Sequence, residues 1–369
     1  MEDVGRYALC LGGTLGLLWT FRRLAFPLGL LDHPRGHKCH EGCVPLVGGV
    51  GIFAGLCLSL WLIPGLSGGP APLLACGGLL VAVGVIDDLR DWPAWTRFAA
   101  QGAAAALMVV WGGVVLETLG GLVPGWSVDL GWLGIPLTVF ATVGVINALN
   151  MSDGMDGLAG GLTLVALLPS ALLAAGAGRG VDAALILLIA MAVLAFLVFN
   201  WPVPGRPRAL VFLGDAGSTL LGFLIAWFLV DLSQGPDRAM TPVIALWLFA
   251  IPLMDTVALM LRRTLNGRSP FSADRKHLHH LLLEAGYKVP EAGSIIMGLA
   301  VACALVGVIG LEYGVPQWVM FAGFALLFAG YFWVLGHAWR VITVLRRDVE
   351  QHGTLLGPRR LAAPRRRSP

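Results

Sequence analysis

Asn147-Ala-Leu-Asn-Met-Ser-Asp-Gly-Met-Asp-Gly157 sets two amides, two carboxylates and two glycines between two apolar runs, Trp132–Leu149 and Gly157–Gly176. Each run is close to the roughly 20 residues that span a bilayer core. Unpaired charge in lipid costs at least about 2.5 kcal/mol per residue, so a polar cluster where two spans meet marks function. The glycines let the backbone turn tightly and approach a ligand. Asp153 and Asp156 are three apart, so in a helical turn they share one face. Taken alone, the stretch also reads as an acidic loop joining two membrane helices.

The same alternation of apolar run and polar joint repeats outward in both directions. Of 369 residues, 57% are hydrophobic and 13% charged, against about 25% charged in soluble proteins. Mean hydropathy is +0.79. Eleven candidate spans follow: Tyr7–Phe21, Leu46–Pro64, Ala71–Ile86, Phe98–Leu116, Trp132–Leu149, Gly157–Gly176, Val181–Asn200, Phe212–Asp231, Thr241–Leu261, Glu291–Leu311 and Gln317–Gly336. The expected fold is an all-α integral membrane protein of about eleven transmembrane helices. One polytopic domain occupies 1–340 and a basic tail 341–369, with no separate soluble domain or internal repeat. Glu2 and Asp3, with so many spans behind them, argue against a cleaved signal peptide. Four of the six cysteines sit in apolar runs, so no disulfide framework is expected.

Basic residues orient the chain. With the N-terminus outside, the external segments hold only Arg6, Arg179 and Arg238 of the 25 lysines and arginines. The C-terminus is then cytoplasmic, and tail residues Arg359, Arg360 and Arg365–Arg367 are solvated or near anionic lipid heads. A net charge of +3 identifies no partner, and no nucleic acid is expected.

This topology brings every polar cluster to the cytoplasmic face. The first connection, Asp32–Pro45, holds His37, Lys38, Cys39, His40 and Cys43 at a spacing unlike that of a common zinc site. Gly48, Gly49 and Gly51 then open a span whose small residues allow close helix packing. Asp87-Asp-Leu-Arg-Asp91 pairs adjacent carboxylates, which repel unless a cation or proton lies between them. Oxygen-only clusters suit Mg²⁺, and Arg90 with Arg97 offers a structural alternative. Phe212-Leu-Gly-Asp-Ala-Gly-Ser218 stands Asp215 between glycines at a helix start, where it reads as a metal ligand or a plain cap. The longest connection runs from Arg262 and Arg263 through Arg268 to Arg275, Lys276, His277, His279 and His280. Its donors suit phosphate oxygens, though an ordinary solvated basic loop would look similar. The three histidines cannot all converge on a zinc ion from one short helix.

Together the motifs DDLRD, NALNMSDGMDGL, FLGDAGS, IPLMDTVALMLRR and GRSPFSADRKHLHH resemble, in order and spacing, those of the polyprenyl-phosphate N-acetylhexosamine-1-phosphate transferase family. Lys38, His40, Gly42 and Pro45 fit its first-loop pattern, while His37 stands where arginine is expected. The likeness runs from about Asp32 to Tyr287 and is strongest to the members that use undecaprenyl phosphate and N-acetylglucosamine. It implies a bacterial inner-membrane enzyme whose active site faces the cytoplasm. That enzyme passes N-acetylglucosamine 1-phosphate from UDP-N-acetylglucosamine to undecaprenyl phosphate, with Mg²⁺ as cofactor and Mn²⁺ as a substitute. Such a product starts O-antigen or a related surface glycan, and a homodimer is compatible with the family.

The resemblance also implies roles. Asp215 is the metal ligand, with Asp88 in support. Asp87 lies near the lipid phosphate as base or anchor, together with Lys38 and His40. Asn150, Asp153 and Asp156 bind the uridine and ribose or complete the metal site, and Phe212 stacks on uracil. Arg268, Arg275, His277, His279 and His280 hold the pyrophosphate and sugar. Asp255 is expected behind the first contacts. The rival within the family is phospho-N-acetylmuramoyl-pentapeptide transferase. A secondary transporter would place its ionisable residues near the bilayer midplane, whereas Asp87, Asp153, Asp156 and Asp215 fall at helix ends.

Overall fold

The computed structural model describes residues 2–32, 43–62, 70–90, 92–270, 277–337, 340, 342–343 and 346. Lys38, His40, Arg275 and the tail arginines 359–367 lie outside the described residues. Thirteen α-helices carry the described chain: α1 Glu2–Leu28, α2 Gly48–Leu62, α3 Ala71–Arg90, α4 Ala94–Val110, α5 Gly134–Ser152, α6 Leu158–Gly176, α7 Gly180–Asn200, α8 Gly214–Asp231, α9 Pro242–Leu248, α10 Ala250–Leu265, α11 Leu278–Ala285, α12 Val289–Glu312 and α13 Gln317–Gly336. The only sheet among them pairs Leu31–Asp32 with Val44–Pro45. The architecture is that of an all-α, multi-pass membrane protein. Among the described residues, seven helices are long and apolar enough to cross a bilayer, or eight when α9 and α10 count as one bent span. Helices α1, α2 and α4 fall outside that set.

Helix α8 is the axis of the bundle. Every residue from Ala216 to Val230 is buried, as a helix apolar on all sides must be. It packs on α2, α3, α5, α6 and α9. Close approach depends on small residues: a Cβ on Gly84 would come 2.9 Å from the Asp215 carbonyl carbon. Helices α6 and α7 form a second closely packed pair, with α1 against α7.

Two expected spans come out differently. Thr241–Leu261 is broken, α9 and α10 meeting at 87°. Pro252 explains the break: it lacks the N–H that would bond the Leu248 carbonyl, and its ring clashes with that carbonyl. Accordingly α9 ends at Leu248. The span expected to reach Leu116 stops at Val110, where Gly112 and Gly113 follow. Gly113 takes a left-handed φ of 69°, and Leu116 N–H instead bonds the Thr138 hydroxyl at 2.8 Å.

Candidate active site

The N-terminus of α8 is where the polar motifs converge. Gly214 has a left-handed φ of 72°, and a Cβ there would lie 2.6 Å from Asp88 Oδ2. Glycine is therefore required for both the turn and the approach. Asp88, at the end of α3, accepts the N–H of Asp215 at 3.0 Å and of Ala216 at 3.4 Å. It caps α8 from a neighbouring helix, at the end where backbone amides and dipole favour an anion.

The Asp215 carboxylate has partners on two other helices, α5 and α4. Its Oδ1 accepts Asn150 Nδ2 at 2.8 Å, and the same amide reaches Ser218 Oγ at 2.8 Å. Arg97, in the first turn of α4, donates from one Nη1 to Asp215 Oδ2 at 3.1 Å and faces Asp87 Oδ2 at 3.2 Å. One guanidinium thus bridges two carboxylates. Asp87 Oδ1 is buried with no hydrogen-bond partner.

The loop between α5 and α6 closes one side. Asp153 caps the end of α5. Burial first, then repulsion from Asp215, Asp156 and Asp88, pushes its carboxyl well above the usual range. Asp156 Oδ2 accepts the Ala209 N–H at 2.9 Å, so it also holds the chain between α7 and α8. Asn200 serves the same join, accepting Gly157 N–H at 2.6 Å and donating to the Val211 carbonyl at 2.9 Å. Phe212 is half-buried, and its backbone N–H bonds Pro45 O at 2.8 Å. That bond lays the segment before α2 beside the start of α8.

The histidines close the other side. His277 and His279 are buried. The His279 ring lies 4.1 Å from that of His280 and stacks on His277 at 5.6 Å, centroid to centroid. His279 Nε2 has no hydrogen-bond partner and faces Gly154, whose missing side chain leaves room for the ring. The α5–α6 loop and the histidine helix therefore touch. Burial, then the neighbouring His280 and His277, lowers the His279 imidazole to about 3, so at neutral pH it is uncharged. Arg268 is exposed beyond α10.

The sequence motifs thus assemble: Asp87, Asp88, Asn150, Asp153, Asp215 and His277–His280 meet at one end of the bundle. Arg97, read from sequence only as a structural counter-charge, touches two of the carboxylates. Tyr331, whose hydroxyl donates to Asp255 Oδ1 at 2.6 Å behind His277, carried no local signal at all. A divalent cation suits this donor set, since Asp87 offers an orphaned buried oxygen and Mg²⁺ takes one or two carboxylates with water and phosphate. Among the described residues no three His, Cys, Asp or Glu side chains are arranged to hold a metal by themselves.

Residues 71–233 match glycosyl transferase family 4. The chain is 40% identical over 332 residues to the undecaprenyl-phosphate alpha-N-acetylglucosaminyl 1-phosphate transferase of Escherichia coli (strain K12), an overlap of 89% of this chain and 90% of that one. The enzyme of the same description from Salmonella typhimurium is 42% identical over 336 residues, 89% and 90% of the two chains. That of Haemophilus influenzae is 40% identical over 338 residues, 91% and 95%. Such identity over nearly the whole length of these relatives, on a chain whose polar motifs fold to a single site, means that the chain belongs to glycosyl transferase family 4.

Proposed function

We propose that this chain transfers N-acetylglucosamine 1-phosphate from UDP-N-acetylglucosamine to undecaprenyl phosphate. UMP leaves, and a lipid-linked pyrophosphate sugar remains to start O-antigen or a related glycan. The observation that carries this reading is the meeting of four carboxylates with a histidine cluster at the ends of apolar helices. Phosphoryl transfer asks mainly for charge neutralisation and in-line positioning. A lipid-borne acceptor and a water-soluble donor can meet only where headgroup and solvent meet.

In this reading Asp215, with Asp87 and Asp88 beside it, holds Mg²⁺ or Mn²⁺, which supplies positive charge to the phosphate oxygens. Asp87, Lys38 and His40 take the acceptor phosphate. Asn150, Asp153, Asp156 and Phe212 take the nucleoside end. His277, His279 and His280, with Arg268 and Arg275, take the pyrophosphate and sugar. Arg97 holds Asp87 and Asp215 together when no cation does. Helices α1, α2 and α4 complete eleven spans in a bacterial inner membrane, with the N-terminus outside and the site and C-terminus in the cytoplasm.

Purified protein given undecaprenyl phosphate and Mg²⁺ tests this by UMP release from two donors. UDP-N-acetylglucosamine should be turned over, and the UDP-muramoyl pentapeptide should not. A site built for one sugar leaves polar groups unpaired with another, and such mismatches discriminate by roughly 10⁴-fold. Equal or faster release from the muramoyl donor would move the chain to the pentapeptide reaction.

A further inference from the structure

Asp255 lies in α10, in the second limb of the broken span, and is 6% exposed. Its carboxylate has three partners, two at the start of α11 and one on α13. His277 Nδ1 lies 2.7 Å from Oδ2. The Tyr331 hydroxyl of α13 donates to Oδ1 at 2.6 Å, and the Leu278 backbone N–H, first in α11, donates to the same oxygen at 3.2 Å. A carboxylate only accepts, so the proton between Asp255 and His277 belongs to Nδ1, leaving Nε2 as the nitrogen available for other contacts.

The arrangement does more than satisfy a buried charge. His277 sits at the cap position of α11, yet its side chain caps nothing. Asp255 supplies the cap from another helix, fixing both where α11 begins and which way its first histidine faces. His279, two residues on, stacks upon His277 at 5.6 Å. Apolar packing joins the same elements: Leu281 of α11 is buried with Ala258 of α10 and Leu335 of α13, against Tyr331 and Phe332. The last helix of the bundle is therefore connected by hydrogen bonds and packing to the histidine cluster.

We infer that Asp255 and Tyr331 are positioning residues that act through His277 to hold the α11 histidines in register for the nucleotide-sugar donor. The inference rests on the donor role proposed above for that cluster. Tyr331→Phe keeps the ring and removes only the hydroxyl. Roughly a 10-fold fall in kcat/KM for UDP-N-acetylglucosamine is expected, with KM for undecaprenyl phosphate within about 2-fold of wild type. Because Tyr331 acts through Asp255 and His277, the same substitution should be nearly silent in an Asp255→Asn or His277→Ala background.

A ¹⁵N-histidine spectrum of the full-length protein in detergent supplies a readout independent of turnover. His277 should appear with its proton on Nδ1 in wild type and should lose that signature in Asp255→Asn. Equal losses toward both substrates, or an undiminished Tyr331→Phe effect in the Asp255→Asn background, would overturn the inference. So would an unaltered His277 signature. A wild-type protein that shows the signature but releases no UMP from UDP-N-acetylglucosamine would overturn the proposed reaction and leave the relay standing.

Discussion

Gly154→Ala isolates the contact between the α5–α6 loop and the histidine helix. Gly154 is absent from the glycines with left-handed φ, so alanine can adopt its backbone and only space is at issue. The new Cβ would lie 2.8 Å from His279 Cε1 and 3.2 Å from Cδ2, and nearer still to Nε2. Carbon contacts are comfortable at about 3.5–4.0 Å, so the ring or the loop must move by about 1 Å. The ring has little freedom, being 3% exposed and 4.1 Å from His280. A displacement of about 1 Å in a reacting constellation costs roughly 10²-fold, or about 2.7 kcal/mol in the barrier. The assay is kcat/KM for UDP-N-acetylglucosamine from released UMP, in wild type and in His279→Ala. With no imidazole to strike, Gly154→Ala should add less than about 0.5 kcal/mol in the second background. A full loss there would show that the loop itself, not the ring, suffers. No loss in the first would show that the contact plays no part in turnover.

Three further outcomes follow from the same geometry. Asp215→Asn should lower turnover by at least about 10²-fold while the protein stays folded in detergent; near-normal activity with unchanged Mg²⁺ dependence would place the metal elsewhere. His279, held down to about 3 against an ordinary 6.5, should make the protein acid-sensitive. Below the ordinary value the unfolded chain gains a proton that the folded chain refuses. That stability is complete above about pH 6.5 and falls toward pH 3 by up to about 1.4 kcal/mol per unit. His279→Gln should flatten the fall in melting temperature between about pH 7 and about pH 4.5, and an unchanged slope would mean that another group governs it. A reporter fused after Pro369 should read cytoplasmic and one inserted near Gly235 external; an external C-terminus would overturn the proposed orientation.

The helices were legible because lipid imposes one rule, long apolar runs with polar joints, and that rule leaves its mark residue by residue. The site motifs were legible for the same reason: Asp87, Asp153 and Asp215 each interrupt an apolar stretch. The limits of local reading show at α4, where Val114, Val115 and Leu116 prolong the apolar run past the glycines that end the helix. The break before α10 had a visible cause in Pro252, but the 87° bend also needs tertiary packing to hold it. Tyr331 is 76 residues from Asp255, and nothing around it says which helix its hydroxyl faces. Arg97 was legible as a counter-charge to the neighbouring acids, but nothing near it in sequence says that it also reaches Asp215.

The two ends of the bundle are built on opposite electrostatic terms, and the contrast bears on function. At the end away from the motifs, Arg179 is bound to Asp182 at 2.7 Å, to Asp231 and to the Asp231 carbonyl at 2.9 Å. There Gln234 Oε1 accepts the N–H groups of Glu117 and Thr118, and Gln317 Oε1 accepts that of Gly121. These groups are matched donor to acceptor, as stability alone would demand. At the motif end, Asp87 Oδ1 and His279 Nε2 are buried without partners, and Asp153 is crowded by like charge. Each such group costs about 1–3 kcal/mol while it stays unmatched. With one end satisfied and the other short of cations and of hydrogen-bond acceptors, the unmet groups suit a ligand that brings both. A phosphate-bearing donor arriving with a divalent cation would meet them together: positive charge for the carboxylates and phosphate oxygens within reach of the histidines.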